Sequence, residues 1–161
     1  MIKKYLILIL LSLIFNTSIF AASNDDTSSK VNDYLKASNL IKAAKKYEKK
    51  GKIEKAQKRY EKAQKLLLKS NKEKPLQADT LNYLGFTTRK LGDYEKGEAF
   101  YLQGLKIEPN HNGINEYLGE LYMVTNRVDL AKERLSVLKN CNCKEYNQLK
   151  EIIEGTKKSK Y

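Results

Sequence analysis

The chain has 161 residues, a length typical of one domain, and its 31 lysine and arginine residues against 19 acidic ones give a net charge of +12. It has no tryptophan and two prolines, and no stretch of alternating β-branched residues is long enough to predict a sheet. The composition argues against a β-sheet protein and favours helices, because lysine, glutamate, leucine, alanine and glutamine are good helix formers.

The first residues have the pattern of a secretory signal peptide. Two lysines precede a predominantly apolar run of eleven residues, from Tyr5 to Phe15 with Ser12 within it, and small residues follow it. The run is shorter than the ~20 residues of a membrane span. We therefore predict a signal peptide over residues 1–21 and a periplasmic or secreted location, with an uncleaved N-terminal membrane anchor as the alternative.

Residues 22–33 are rich in serine, asparagine, aspartate and threonine, which predicts a flexible tether before a domain over residues 34–157. The start of that domain carries most of the charge. Residues 36–74 hold fifteen basic residues against four acidic ones, whereas residues 75–161 hold thirteen against twelve. This asymmetry indicates either a solvated lysine-rich helix surface or contact with an anionic lipid or envelope glycopolymer. Nucleic acid is a poor fit for an exported chain, so we predict no nucleic-acid partner.

An internal repeat predicts the fold. The tripeptide from Tyr83 to Gly85 recurs from Tyr117 to Gly119, an offset of 34 residues. A period of 34 residues is typical of a repeated pair of antiparallel helices. Small residues at these positions would let two helices cross closely.

Residues 78–111 resemble the tetratricopeptide repeat (TPR). The positions that carry the resemblance are Leu81, Leu84 and Gly85 on the first helix, Leu91, Gly92, Asp93 and Tyr94 at the turn, Tyr101 on the second helix and Pro109 at the exit. Gly97 and Gly104 stand where the family usually has alanine, at a cost of ~1 kcal/mol of helix stability each.

Further units fit the pattern over residues 37–70, with a longer second helix, and over residues 112–139. A segment with one apolar face, at residues 144–157, fits a terminal capping helix. The resemblance, which extends to short exported bacterial TPR proteins, implies an all-α, right-handed α-solenoid of about three helix pairs plus the cap.

The resemblance also implies a non-enzymatic scaffold that binds a protein or peptide on a concave groove formed by the first helix of each unit. Aligning the units predicts the groove residues, which are Lys42, Lys45, Lys49, Asn82, Phe86, Arg89, Glu116, Glu120 and Met123. Their order runs from cationic to acidic and would suit an extended peptide with acidic residues at one end. The lysine and asparagine set with which chaperone-binding TPR domains hold a terminal carboxylate is not reproduced, and only Asn82 approaches it.

Few residues offer other chemistry. Cys141 and Cys143 could form a local disulfide, stay free or pair between chains, and they supply only half of a tetrahedral metal shell. They suggest a thiol-redox or metal-handling protein as an alternative function, although related exported TPR proteins carry a cysteine pair before the final helix, which favours a structural role. The one histidine, His111, lies in a predicted turn without a motif that supplies a nucleophile. We predict no enzyme, no cofactor and no metal site.

Overall fold

The computed structural model describes residues 26–159, and within this range seven helices follow one another without a strand. They are α1 (Asp26–Lys49), α2 (Ile53–Glu73), α3 (Ala78–Lys90), α4 (Tyr94–Ile107), α5 (Asn112–Val124), α6 (Val128–Leu138) and α7 (Lys144–Ile153). The predicted signal peptide lies outside the described residues. Within them, no helix has the length and apolar character needed to cross a membrane.

The first helix begins earlier than the sequence predicts. α1 starts at Asp26, so residues 26–33 are helical where the composition favours a tether. The buried side chain of Asp33 accepts a hydrogen bond from Lys69 Nζ at 2.7 Å. The ring of Tyr34 packs 5.7 Å from that of Tyr83. Contacts with α2 and α3 thus fix α1 at Asp33 and Tyr34, because tertiary packing supplies most helix stability in proteins.

The turns within the helix pairs each contain one residue with a left-handed backbone. These residues are Gly51 with φ 67°, Gly92 with φ 97° and Asn126 with φ 59°. Gly92 and Asn126 occupy the same position of the repeat, and asparagine is among the few other residues that tolerate this conformation. After Gly92, Asp93 caps α4 by accepting a hydrogen bond from the Lys96 backbone N–H at 3.0 Å.

The helices pack as a stack of pairs. α1 contacts α2, α3 contacts α4, α5 contacts α6, and α7 covers α5 and α6 at the end. Ile41 and Tyr60 belong to a buried cluster that joins α1, α2 and α3, whereas Tyr101 and Leu118 belong to a second cluster around α4 and α5. Each unit completes the core of the next, as in a repeat solenoid. The all-α solenoid prediction is confirmed, and its right-handed sense stays a prediction.

Two glycines one period apart show how the helices approach. A Cβ atom added at Gly85 would lie 2.5 Å from Cε1 of Tyr101, on the partner helix of the same unit. A Cβ atom added at Gly119 would lie 2.5 Å from Cδ2 of Leu149, on the capping helix. Gly85 therefore matches the expected close pair within one unit, while Gly119 makes room for the helix that ends the stack.

Candidate functional site

A pocket of about 370 Å³ opens between α1 and α3. Its lining residues are Lys45, Glu48, Lys49, Phe86 and Lys90. Three of them, Lys45, Lys49 and Phe86, are predicted groove residues. The first helices of units one and two therefore form a recess where the sequence predicts a binding surface. The predicted groove residue Lys42 is exposed on α1, one turn before Lys45.

Lys45 covers the aromatic wall of this pocket. Its Nζ atom lies 4.2 Å from the centroid of the Phe86 ring and 5.2 Å from that of Tyr117. The same ammonium donates a hydrogen bond to the Tyr117 hydroxyl at 3.0 Å. A cation over an aromatic face is attracted by the ring quadrupole, so these contacts hold the lysine at the pocket.

Glu48 connects the pocket to the core, and the sequence analysis did not identify it. Its carboxylate accepts a hydrogen bond from the Tyr60 hydroxyl at 2.8 Å and pairs with Lys90 Nζ. Lys90 and Tyr117 were also missed. Tyr117 could have been found because it repeats Tyr83 at the family period, but the pairing of Glu48 with Lys90 joins two units and has no local signal.

The aromatic rings form one cluster behind the pocket. The Phe86 ring lies 5.7 Å from that of Tyr60 and 5.1 Å from that of Tyr117, distances typical of favourable aromatic pairs. Burial raises the pKa of Tyr60 and of Tyr117 far above the usual tyrosine value, and the nearby Glu48 and Glu116 carboxylates raise them further. Both hydroxyls therefore stay protonated and act as neutral hydrogen-bonding groups.

The second half of the predicted groove is closed. The side chains of Arg89 and Glu120 have no exposed surface, and Arg89 Nη2 lies 3.5 Å from Glu120 Oε2. Arg89 also donates to the Tyr117 carbonyl oxygen at 2.7 Å. Glu116 is 4% exposed and lies one turn before Glu120 on α5. The structure differs from the prediction here, because these charges pair inside the domain instead of facing a partner.

The other predicted groove residues are also largely covered. Asn82 is buried, and its Nδ2 atom would lie 2.7 Å from a Cβ added at Gly113. Phe86 is buried although it lines the pocket. Met123 is half-buried and packs against the second core cluster. The expected gradient from cationic to acidic is therefore displayed only at its cationic end.

Comparison with known proteins agrees with this architecture. A family profile described as tetratricopeptide repeat matches residues 78–111. These residues, which include α3 and α4, form a tetratricopeptide repeat. No curated protein matches the sequence.

Solved structures that resemble this chain include one described as the first TPR of Spaghetti (RPAP3) bound to HSP90 peptide SRMEEVD. The two chains share 19% identity with a TM-score of 0.53, and the match covers 76% of this chain and 94% of the other. At this identity, the likeness shows a common fold.

His111 has a structural place in the helical stack. It is the N-cap of α5, and its Nδ1 atom accepts a hydrogen bond from the Ile114 backbone N–H at 3.1 Å. Its Nε2 atom lies 3.1 Å from Asp79 Oδ1. The ring thus fixes the start of the third unit and links it to the second.

The outer face of α2 is strongly basic. Along this helix, seven basic residues accompany three acidic ones. Lys55, Lys58, Arg59 and Lys62 line a shallow depression of about 280 Å³ with Tyr47. Among the residues that the structure describes, these four have no carboxylate within ion-pair distance.

The two cysteines are joined in the loop before the cap. The structure contains a disulfide between Cys141 and Cys143, with their Cα atoms 5.1 Å apart. No group of three or more histidine, cysteine, aspartate or glutamate side chains suited to a metal ion occurs within residues 26–159.

Proposed function

We propose that this TPR protein is a non-enzymatic scaffold that binds a protein or peptide in the pocket between α1 and α3. The observation that carries the proposal is the composition of the pocket, in which three lysines and one glutamate surround a buried aromatic ring. A site of this kind recognises by shape and charge.

The partner is expected to place an acidic group beside Lys49, the exposed lysine of the lining, and an apolar group against the wall that Lys45 and Phe86 form. Three ammonium groups against one carboxylate leave the lining with a positive charge, and Glu48 is already engaged by Tyr60 and Lys90. The described structural neighbour binds an acidic peptide, which supports a peptide partner of similar charge. The chaperone-binding carboxylate set is absent from the sequence pattern, so no particular chaperone is proposed.

Fluorescence anisotropy with the full chain and two labelled heptapeptide pools tests this proposal. One pool has aspartate and glutamate at one end and leucine or phenylalanine in the centre, and the other has lysine in place of the acids. We expect the acidic pool to bind and to lose about tenfold in affinity with Lys49→Glu, because charge reversal replaces attraction by repulsion. The matched control Lys132→Glu, at an exposed residue of α6, should bind like the parent chain. Equal binding of the two pools, or no effect of Lys49→Glu, would refute the proposal.

A second proposed function is attachment to an anionic surface through α2. Lys55, Lys58 and Lys62 recur every three or four residues, so they share one face of the helix, and all three are exposed. Such an array attracts anionic lipid headgroups or glycopolymers through charge.

Sedimentation with vesicles tests this second function. Vesicles with anionic phospholipid should carry the full chain down at low salt, and vesicles of zwitterionic lipid should not, because exposed charges are screened by salt. The triple variant Lys55→Glu, Lys58→Glu, Lys62→Glu should stay in solution. Release by a soluble anionic polysaccharide would assign the face to glycopolymers, whereas sedimentation with zwitterionic vesicles would refute a charge-based surface.

The location in the cell envelope is proposed from the sequence of residues 1–21. Mass spectrometry of the chain from its native source should find a mature N-terminus at Ala22. A full-length chain recovered from membranes would support the anchor instead.

A further inference from the structure

The Cys141–Cys143 disulfide closes too small a loop to act mainly as a structural staple. The bonded cysteines are two positions apart. A disulfide stabilises a fold chiefly by restricting the unfolded chain, and this effect is smallest for a short loop. The bond therefore adds little to the stability of the domain.

The capping helix is held by other contacts. Leu149 has no exposed surface and packs against Gly119, and Ile152 is 5% exposed. Both side chains lie on α7, which contacts α5 and α6. Because apolar burial is the main force that docks such a helix, α7 is expected to stay in place when the disulfide is reduced.

The disulfide is accessible to a reacting thiol. Both cysteines are half-buried, and Asn142 between them is exposed with φ 46°. Cys143 lies on the wall of an open depression of about 470 Å³, whose other lining residues are Lys139, Asn142, Lys144, Tyr146 and Asn147. A small thiol or an extended cysteine-bearing peptide could approach Cys143 through this opening.

The surroundings of Cys143 favour a negative charge on its sulfur. It is the N-cap residue of the ten-residue helix α7, and its side chain makes no capping hydrogen bond. The positive end of a helix stabilises a thiolate. Lys139 and Lys144 line the same depression. Glu145 lies 3.9 Å from Lys144 Nζ, but the Lys144 side chain is 78% exposed, so this pair is weak.

We propose that Cys141 and Cys143 form a thiol–disulfide exchange site that oxidises the thiols of a client. A client thiolate attacks Cys143 Sγ, the Cys141–Cys143 bond breaks, and Cys141 leaves as a thiolate that takes a proton from water. A second client thiolate then attacks the client sulfur bound to Cys143, which leaves as a thiolate. The client gains a disulfide, and its two electrons pass to the cysteine pair; the two client thiols release their protons to water, Cys141 takes one proton from water, and Cys143 remains a thiolate. This activity is independent of the pocket between α1 and α3.

Two single-cysteine variants of the full chain test the proposal with oxidised glutathione as the probe. Cys141→Ser leaves Cys143 as the only thiol, and Cys143→Ser leaves Cys141 as its matched control. Acid quenching and mass spectrometry follow the mixed disulfide with glutathione. We expect Cys143 to react about fivefold faster than Cys141, because the helix terminus favours its thiolate, and Lys144→Gln should reduce the difference. Equal rates, or a faster reaction at Cys141, would overturn the proposal.

Reduction of the parent chain separates exchange from a structural role. Excess reduced glutathione should convert the disulfide to a dithiol through a mixed disulfide on Cys143. The far-ultraviolet circular dichroism and the urea midpoint should stay nearly unchanged. Loss of helix on reduction, or a disulfide that resists glutathione in the folded chain, would assign the bond to structure and reject the exchange site.

Discussion

The first helices of successive units meet at two junctions: the open junction between α1 and α3, and the closed junction between α3 and α5. Both contain charged side chains, but the two junctions use them in opposite ways. Between α1 and α3, Lys45, Glu48 and Lys90 surround an open pocket. Between α3 and α5, the side chains of Arg89 and Glu120 pair with no exposed surface. One junction therefore leaves an open recess beside its charged residues, while the other encloses its charges between two units.

The difference shows that a position in a repeat does not fix the role of its side chain. Arg89 and Lys90 are neighbours on α3, yet Arg89 points to α5 and Lys90 pairs with Glu48 of α1. A buried pair sets specific geometry between units, because breaking it leaves a charge in a poorly solvated place. Of the lysines that line the pocket, Lys49 is the exposed one, so its charge remains available to a ligand.

The largest expected effect comes from the closed junction. Arg89→Ala should lower the free energy of unfolding by about 3–5 kcal/mol, because it leaves Glu120 buried without this cation. Urea unfolding followed by circular dichroism measures the loss. The matched control is Arg127→Ala, since Arg127 binds Glu98 at 2.7 Å while 37% of its side chain is exposed. The control should cost about 1 kcal/mol, and an equal cost would contradict the comparison.

The next effect compares the two equivalent glycines. Gly85→Ala should destabilise the fold by about 1–2 kcal/mol, because the new methyl group meets the fully buried ring of Tyr101 and outweighs the gain in helix propensity. Gly119→Ala should stay within about 0.5 kcal/mol, since the ends of the Leu149 side chain on the terminal helix can rotate away. Thermal unfolding of both variants shows which one loses more stability. A larger loss for Gly119→Ala would mean that Leu149 on α7 cannot move aside.

A smaller effect concerns the Tyr101 hydroxyl. It is buried and has no hydrogen-bond partner within the described part of the chain. Tyr101→Phe should therefore raise the free energy of unfolding by about 1 kcal/mol, because it removes a buried polar group without removing the ring. Urea unfolding at neutral pH measures the gain, and a loss of stability would mean that the hydroxyl has a bound partner.

The same variant should change the response to alkaline pH. Burial raises the pKa of Tyr101 above its value in the unfolded chain. The part of the free energy of unfolding that depends on this protonation is therefore complete below pH ~10 and is lost as the pH rises further. The parent chain should lose stability above that pH more steeply than Tyr101→Phe, by up to ~1.4 kcal/mol per pH unit. Urea unfolding of the parent chain and of Tyr101→Phe at several pH values above ~10 tests this expectation. Equal losses of stability in the two chains would contradict it.

The smallest expected effect on stability comes from the open junction. Lys42→Ala and Lys49→Ala replace exposed side chains and should change the free energy of unfolding by less than about 0.5 kcal/mol. Lys49→Ala should still weaken binding of the acidic peptide pool. Lys42→Ala should weaken it less, because Lys42 does not line the pocket. Anisotropy and urea unfolding on the same samples separate binding from folding, and a stability loss at Lys49 would contradict an open site.

The sequence by itself determined the repeat. Glycines and aromatic residues at a spacing of 34 residues, turn residues such as Gly92 and Asp93, and prolines at the breaks act through local backbone preference and periodic burial, so each can be read along the chain. The alignment of the units places Lys45, Lys49 and Phe86 on the first helices, and all three line the pocket. That they bind a partner stays a prediction.

The tertiary structure decided which of the aligned residues face solvent. Arg89, Glu116 and Glu120 were buried because α3 and α5 pack together, and Glu48 joined the pocket because α1 lies beside α3. It also buried Asp33 on α1 against Lys69 of α2. These outcomes depend on pairs of residues far apart in the chain, whose interaction energies exist only after the helices have come together.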